Sequence, residues 1–586
     1  MKGSKMNPFY LNVKRMGNYI YDRYIDENGE EKTRVVKYKP TLFVSLNNPT
    51  SYQKKHKKKD LYGNVVYPVL FDSMSEAIAY KDESAEMGRD VLGMDSFEFA
   101  YIADVYPNVD PKDLRLKNYI RCSNVDIEVT APEMPDPTSP IYEIDAITHY
   151  DSIDDKYYAF DLVERLGDGS VENWCAERSI LEPEIIERVV YFEFDSEQEL
   201  LAAYIKLYQE KPPSIINGWN VEKFDIPYII GRIIRNFGED APKLMSPFNR
   251  YSSRNVTTRY GEQTIYEIHG ISVIDTMDLY KKNGGGTPPN YKLETIAQIE
   301  LGKGKVQYDC EINELREKHH QLYIDYNIGD VQTVKEIIEK RNFNALTIFM
   351  AYYMKMNFVD ILGSIRPWDA KLFDAIKKEG MVVPMFKPSP IQPYGGAFVK
   401  EPLVGAYRWL ISLDITSLYP TIIRILGASY ETYLGLRPTM PPEEDLINRV
   451  FPGFTDLENC AIAPNGAMYR KDIEGIIPKV ITDVFLSRVE EKKLAAIAGK
   501  NIEHLTRAIS KTDQSYKGDF KFDPITPITD FETLNKLELQ VLYQMREDAI
   551  ASNTIHDTAQ NALKLAINSL YGALTNLLIS LRYLTY

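Results

Sequence analysis

The run Ser123-Asn-Val-Asp-Ile-Glu-Val-Thr130 alternates polar and apolar residues with a period of two. That spacing belongs to a β-strand, whose successive side chains leave opposite faces of the sheet. Val125, Ile127 and Val129 take one face, so Asp126 and Glu128 take the other, about 7 Å apart along the strand. Such a strand requires a sheet with an apolar layer on one side and a place for two negative charges on the other. Two arrangements meet the requirement. The acids can sit on a solvated outer face, which is the default for an isolated Asp-x-Glu, or they can bridge two Mg²⁺ ions held roughly 4 Å apart.

Two later segments supply further acids. The stretch Ile215-Ile-Asn-Gly-Trp-Asn-Val-Glu-Lys-Phe-Asp-Ile-Pro-Tyr228 reads as strand, tight loop and helix. Ile226, Ile229, Ile230, Ile233, Ile234 and Phe237 keep a 3.6-residue period, and Gly238 is a stop signal. Asp225 stands just before this helix, where it serves equally well as an N-cap or as a third acid. Tyr323-Ile-Asp-Tyr-Asn-Ile-Gly-Asp-Val331 opens another helix, on which Tyr326 and Asp330 share a face. That stripe continues through Val334 and Ile337, so Asp330 points where the helix is otherwise apolar. A lone buried carboxylate is costly unless it is paired or binds metal. His319 and His320 nearby read as surface residues.

A chain of 586 residues exceeds one hydrophobic core, so several domains are expected. Four scattered cysteines without a Cys-x-x-Cys pair argue against a zinc site or disulfide framework and fit a reducing cytoplasm. No apolar run approaches the length of a membrane span, and no signal core follows the first residues. The net charge of −15 opposes a nucleic-acid partner without excluding one, because net charge does not report local fields. Lys54, Lys55, Lys57, Lys58 and Lys59 form a basic run whose ordinary reading is a solvated loop. Short strands (Tyr10–Val13, Arg34–Tyr38, Leu42–Val44) and a helix (Ser73–Met87) are expected before residue 117. An α/β region follows from about 118 to 342, with a polar hairpin inserted at 249–270. A second α/β region begins near 386 and ends in a helical stretch from Phe531 to Leu574.

Asp-x-Glu on a strand, Asn-x4-Asp at a helix start and Tyr-x3-Asp on a later helix occur here in that order. The set resembles the three exonuclease motifs of the DnaQ-like (ribonuclease H-like) proofreading fold. The resemblance implies that Asp126, Glu128, Asp225 and Asp330 bind two Mg²⁺ or Mn²⁺ ions, with Tyr326 orienting the attacking water. Further on, Trp409-Leu-Ile-Ser-Leu-Asp-Ile-Thr-Ser-Leu-Tyr-Pro-Thr421 reads as a buried strand turning into a helix. It precedes Lys564-Leu-Ala-Ile-Asn-Ser-Leu-Tyr-Gly-Ala573 on a long helix. These segments resemble motifs A and B of the family B DNA polymerases. With the Gly-Trp-Asn-Val-Glu-Lys-Phe-Asp-Ile-Pro-Tyr run, the likeness narrows to the replicative polymerases of T-even-type bacteriophages, from near residue 7 to about 576. It implies that Asp414 and the backbone carbonyl of Ile415 bind metal. It also implies that Leu418 and Tyr419 meet the incoming nucleotide, Tyr419 packing under its sugar to select deoxyribose. Arg488, Lys492, Lys564 and Asn568 would meet its triphosphate, and Tyr571 the nascent base pair.

The expected architecture is therefore multidomain, mixing α/β and α+β. An N-terminal domain (1–117 and 343–385) accompanies an exonuclease domain (118–342), a partial palm (386–474), helical fingers (475–576) and a divergent tail (577–586). Family B polymerases use a second metal-binding acid from an Asp-Thr-Asp hairpin, and no Asp-Thr-Asp occurs in this sequence. The expectation is an amino-terminal subunit of a split polymerase, in the host cytoplasm and away from membranes. A partner chain would bring the hairpin and the thumb. Its other partners would be primer-template DNA, single-stranded 3′ ends and dNTP. A free-standing exonuclease and a nucleic-acid-binding regulatory protein are the alternatives.

Overall fold

The computed structural model describes residues 6–165, 171–258, 261–310, 312–383, 401–413, 415, 417–437, 439–440, 445, 448, 459–516, 518 and 520–577. The chain forms two compact units. One comprises Met1–Tyr38, Tyr101–Tyr352 and Met356–Leu362; the other comprises Lys39–Ala100, Tyr353–Lys355 and Gly363–Tyr586.

The first unit is built on a six-stranded sheet. Its strands are β1 (Cys122–Glu128), β2 (Ala146–Asp151), β3 (Lys156–Leu162), β4 (Val189–Phe194), β5 (Ile215–Gly218) and β6 (Ser272–Asp275). Their order is β4-β3-β2-β1-β5-β6. The β1–β2 and β2–β3 pairs are antiparallel, whereas β3–β4, β1–β5 and β5–β6 are parallel. Val125 and Ile127 turn toward a core shared with α1 (Glu197–Glu210) and α2 (Asp225–Phe237), where Leu200, Tyr204, Ile226, Ile229 and Ile233 are buried. The opposite face carries Ala146, Tyr157 and Ala159 beneath Tyr323, Ile324, Ile328 and Val331 of α3 (His320–Arg341). Period-two alternation places Asp126 and Glu128 on that second face. The acid face of β1 is thus roofed by a helix and is not the solvated surface that an isolated Asp-x-Glu would occupy.

A three-stranded antiparallel sheet (Phe9–Met16, Tyr19–Ile25, Glu31–Lys37) belongs to the same unit. Its Arg23 is fully buried and donates to the carbonyls of Pro212 at 2.8 Å, Pro213 at 2.6 Å and Gly270 at 3.0 Å, and to Glu31. These bonds offset the cost of burying a guanidinium. The inserted hairpin pairs Tyr251–Thr258 with Gly261–Ile268, within the 249–270 expected for it.

In the second unit, a five-stranded sheet runs in the order Met381–Val382, Lys58–Asp60, Val65–Leu70, Thr41–Val44 and Val91–Leu92. The lysine run is not a loop. Lys54 and Lys55 end the helix Ser51–Lys55, closed by a capping box between Thr50 and Gln53, and Lys58 and Lys59 lie in a strand. Two long helices, α4 (Ile476–Ile509) and α5 (Leu539–Leu577), pack side by side over small residues such as Ala495, Ala498, Ala559 and Ala562. Asn553 Nδ2 donates to Ala495 O at 2.8 Å and fixes their register. The stretch expected as one helix from Phe531 is broken after Leu534, because Leu534 and Leu537 turn into the core with Leu505 and Leu542. Among the described residues no helix is long and apolar enough to cross a membrane.

Candidate metal centre

Asp126 and Glu128 project from β1 toward α3, which carries Asp330. One carboxylate oxygen from each of the three lies within 4.8 Å of the others. Asp225 approaches from the opposite neighbour. It is the first residue of α2 and does not act as its cap: Phe224 is the N-cap residue, and no side chain caps the helix. Asp225 Oδ1 accepts instead from the backbone N–H of Ile127 at 3.1 Å, between the two acids of β1. Gly218 makes this approach sterically feasible. A Cβ there would lie 2.7 Å from Val125 O and 2.6 Å from Val221 Cβ. The turn that follows places Asn220 in the left-handed region at φ 68°, which Asn tolerates better than most residues. Asp275 at the end of β6 accepts from Asn220 N at 3.1 Å, tying the turn down.

Tyr326 and Asp330 stand one turn apart on α3, and Lys305 reaches both. Its ammonium pairs with Asp330, donates to Tyr326 Oη and lies 4.5 Å from the centre of the tyrosine ring. Asn327, the next residue on α3, donates through Nδ2 to Asp126 Oδ2 at 2.9 Å. The acids outnumber this one cation. Burial first, and then Asp225 and Glu128, hold the Asp126 carboxyl well above the usual carboxylate range. Burial and then Asp330 do the same to Glu128. Asp225 is pushed up to about 7, chiefly by burial, with Asp275 and Asp330 adding to it. Burial also raises Asp330, against the pull of Lys305. Asp330 Oδ1 is buried without a hydrogen-bond partner. Converging hard oxygen donors, an excess of negative charge and an orphaned carboxylate oxygen together fit Mg²⁺ or Mn²⁺.

Lys305, Asn327 and Asp275 escaped the sequence reading. Lys305 lies in a Gly-Lys-Gly-Lys segment, which has no apolar periodicity to place it on a face. Asn327 carried a usable signal, since it is three residues before Asp330 on the same helix. His320 corrects the sequence reading. It is 2% exposed, with Nε2 2.8 Å from Asp161 Oδ2, because the first turn of α3 presses onto the sheet; His319 is exposed as expected.

The motif A and B residues all belong to the second unit. Asp414 lies outside the described residues. Ile415, Leu418 and Tyr419 are exposed, the last two in the first turn of the helix Leu418–Leu426. The buried strand expected before them is absent: Trp409 is 95% exposed and Leu413 91%. Among the described residues no strand pairs with 409–413, and an apolar segment is buried only where a neighbour covers it. Arg488 and Lys492 are one turn apart on α4, as are the exposed Lys564 and Asn568 on α5. Arg488 Nε is buried without a partner. Tyr571 lies in the same helix, α5. Trp368 is fully buried, its Nε1 3.2 Å from both Ala566 O and Ser569 Oγ, and so braces the segment that carries Lys564 and Asn568.

Residues 97–296 match the exonuclease domain of DNA polymerase family B, and residues 367–516 match DNA polymerase family B itself. The sequence is 41% identical over 585 residues to the DNA-directed DNA polymerase of Escherichia phage RB69, covering 97% of this chain and 63% of that one. It is 40% identical to the DNA-directed DNA polymerase of Enterobacteria phage T4, covering 98% of this chain and 64% of that one. A DNA polymerase of Pyrococcus glycovorans is 26% identical over 352 residues, 56% of this chain and 41% of that one. The chain thus spans less than two thirds of the length of the phage relatives it matches.

Proposed function

The chain belongs to DNA polymerase family B, in the T-even-type phage branch, and we propose that its first unit is a metal-dependent 3′→5′ exonuclease acting on DNA. The observation that carries this reading is the meeting of Asp126, Glu128 and Asp330 oxygens within 4.8 Å on the roofed face of β1. Asp126, Glu128, Asp225 and Asp330 hold the metals. Two Mg²⁺ or Mn²⁺ ions there would activate a water for in-line attack on the phosphodiester and stabilise the leaving 3′ oxygen. Tyr326, its hydroxyl fixed by Lys305, orients that water. No side-chain nucleophile is needed. A purely binding role fits poorly, since clustered carboxylates repel phosphate unless cations neutralise them.

The second unit contributes to DNA-directed DNA synthesis on a primer-template. Asp414 and the carbonyl of Ile415 bind metal, and Leu418 and Tyr419 receive the nucleotide. Arg488, Lys492, Lys564 and Asn568 bind the triphosphate, and Tyr571 meets the nascent pair. Phosphoryl transfer of this type needs a second metal-binding acid beside Asp414. The expected separate partner chain finds no support in the comparisons, because each phage relative is a single chain longer than this one.

The test uses 5′-labelled single-stranded DNA. Shortening from the 3′ end that needs Mg²⁺ or Mn²⁺ is expected. Undiminished shortening by the Asp126→Ala, Glu128→Ala double variant would refute the metal assignment.

A further inference from the structure

In the acid cluster, three donors each hold one carboxylate oxygen. Asp330 takes the Lys305 ammonium, Asp225 Oδ1 takes the Ile127 N–H, and Asp126 Oδ2 takes the Asn327 amide. The donors differ in charge. An ammonium neutralises its carboxylate and competes with any cation for it. An amide leaves the carboxylate its full charge while fixing which oxygen points where. Asn327 is 1% exposed and sits on α3 between Tyr326 and Asp330, so its own position is set by the helix that carries them.

We propose that Asn327 is a positioning residue of the metal centre: it commits Asp126 Oδ2 to α3 and so presents Oδ1 to the cation. It touches neither metal nor substrate. The hydrogen bond is also a direct side-chain link between β1 and α3 at the centre. It therefore sets the spacing between the Asp126–Glu128 pair and Asp330. A partner that orients a ligand typically changes metal affinity by about 10- to 100-fold when removed. The inference rests on the exonuclease reading above.

The experiment compares the chain with Asn327→Ala and with Asn327→Leu, the second keeping the branched heavy-atom skeleton of Asn without its donor. Mn²⁺ binding is followed by the loss of the free-ion EPR signal, and exonuclease rate is followed against Mn²⁺ concentration. Both variants should need about 10-fold more Mn²⁺ for half-saturation by either readout. At saturating Mn²⁺ their rates should return to within about 3-fold of the parent, because only ligand presentation was lost. Unchanged half-saturation in both variants overturns the proposal. So does a rate lowered equally at every Mn²⁺ concentration, which marks a packing role. A parent chain that neither binds Mn²⁺ nor shortens DNA overturns the exonuclease reading itself, and Asp126→Asn gives the signature of that outcome for comparison.

Discussion

The acid centre of the first unit and the residues proposed to bind nucleotide in the second differ in how they are held. Three of the four acids of the centre are fixed by a partner from another part of the chain. Asp225 is held by Ile127 N–H, Asp126 by Asn327, Asp330 by Lys305, and the Asp225 turn by Asp275. In the second unit, Lys564 and Asn568 lie exposed on one helix of a pair, and Trp409 to Leu413 lie exposed with no strand beside them among the described residues. A site enclosed by one sheet and its roofing helix carries its own electrostatics. A site assembled along the outside of helices relies on its ligand and on further protein for its surroundings. The largest effect expected from this contrast is in catalysis. The Asp126→Ala, Glu128→Ala double variant should lose about a thousandfold or more in exonuclease rate, the several kcal/mol that bound metal supplies. Asp414→Ala should leave that rate unchanged. A fall in both would show that the two regions act as one site.

The next effect concerns the cation that stands among the acids. Lys305→Met leaves Asp330 buried without its ion pair, which costs on the order of 3–5 kcal/mol when a buried pair is broken. Thermal denaturation in EDTA should show the loss, and Mn²⁺ should restore more stability to the variant than to the parent. The pH dependence follows from Asp225. Its folded pKa of about 7 lies above the ordinary carboxylate value, so the folded state keeps a proton that the unfolded chain has released. Stability fully present below about pH 4 is therefore lost as pH rises toward 7 in the metal-free protein. Saturating metal should flatten or reverse that slope, because the ion favours the charged form. Equal slopes with and without metal would break the claim that the acids are poised for a cation.

Much of the centre was legible in the sequence, for reasons of period. The alternation over Ser123–Thr130 gave the strand β1, and the isoleucines after Asp225 gave α2. What period cannot show is which element lies across from which. Asp225 read equally as a cap or a ligand because both place an acid at a helix start, and only the nearness of Ile127 N–H separates them. Lys305 joins Asp330 across 25 residues of sequence from a loop with no apolar periodicity. The apolar run 409–413 read as buried because apolar content marks what should be covered, while burial also needs a covering partner. His320 failed in the opposite sense, a polar residue drawn inside by its bond to Asp161.

Gly218→Ala tests how tightly the first site is built. The new Cβ would fall 2.7 Å from a backbone oxygen of β1, which cannot swing aside as a flexible side chain would. Overpacking of this kind costs about 1–3 kcal/mol. The strain should also move the turn that delivers Asp225, so a raised metal requirement should accompany the lower melting temperature. A variant that loses stability but keeps its metal requirement would separate the turn from the centre.

The smallest effect belongs to the exposed segment of the second unit. Ile411 is 82% exposed, so Ile411→Thr removes an apolar side chain that has little left to lose on unfolding. Surface changes of this kind stay within about 0.5 kcal/mol. Denaturant midpoints of the chain with and without the substitution should therefore coincide. Gly218→Ala makes the contrast, because Gly218 lies against the backbone of β1 whereas Ile411 is exposed. A loss of more than about 1 kcal/mol would mean that residues 409–413 are covered in solution. The second site would then be enclosed like the first, and the distinction between the two would fail.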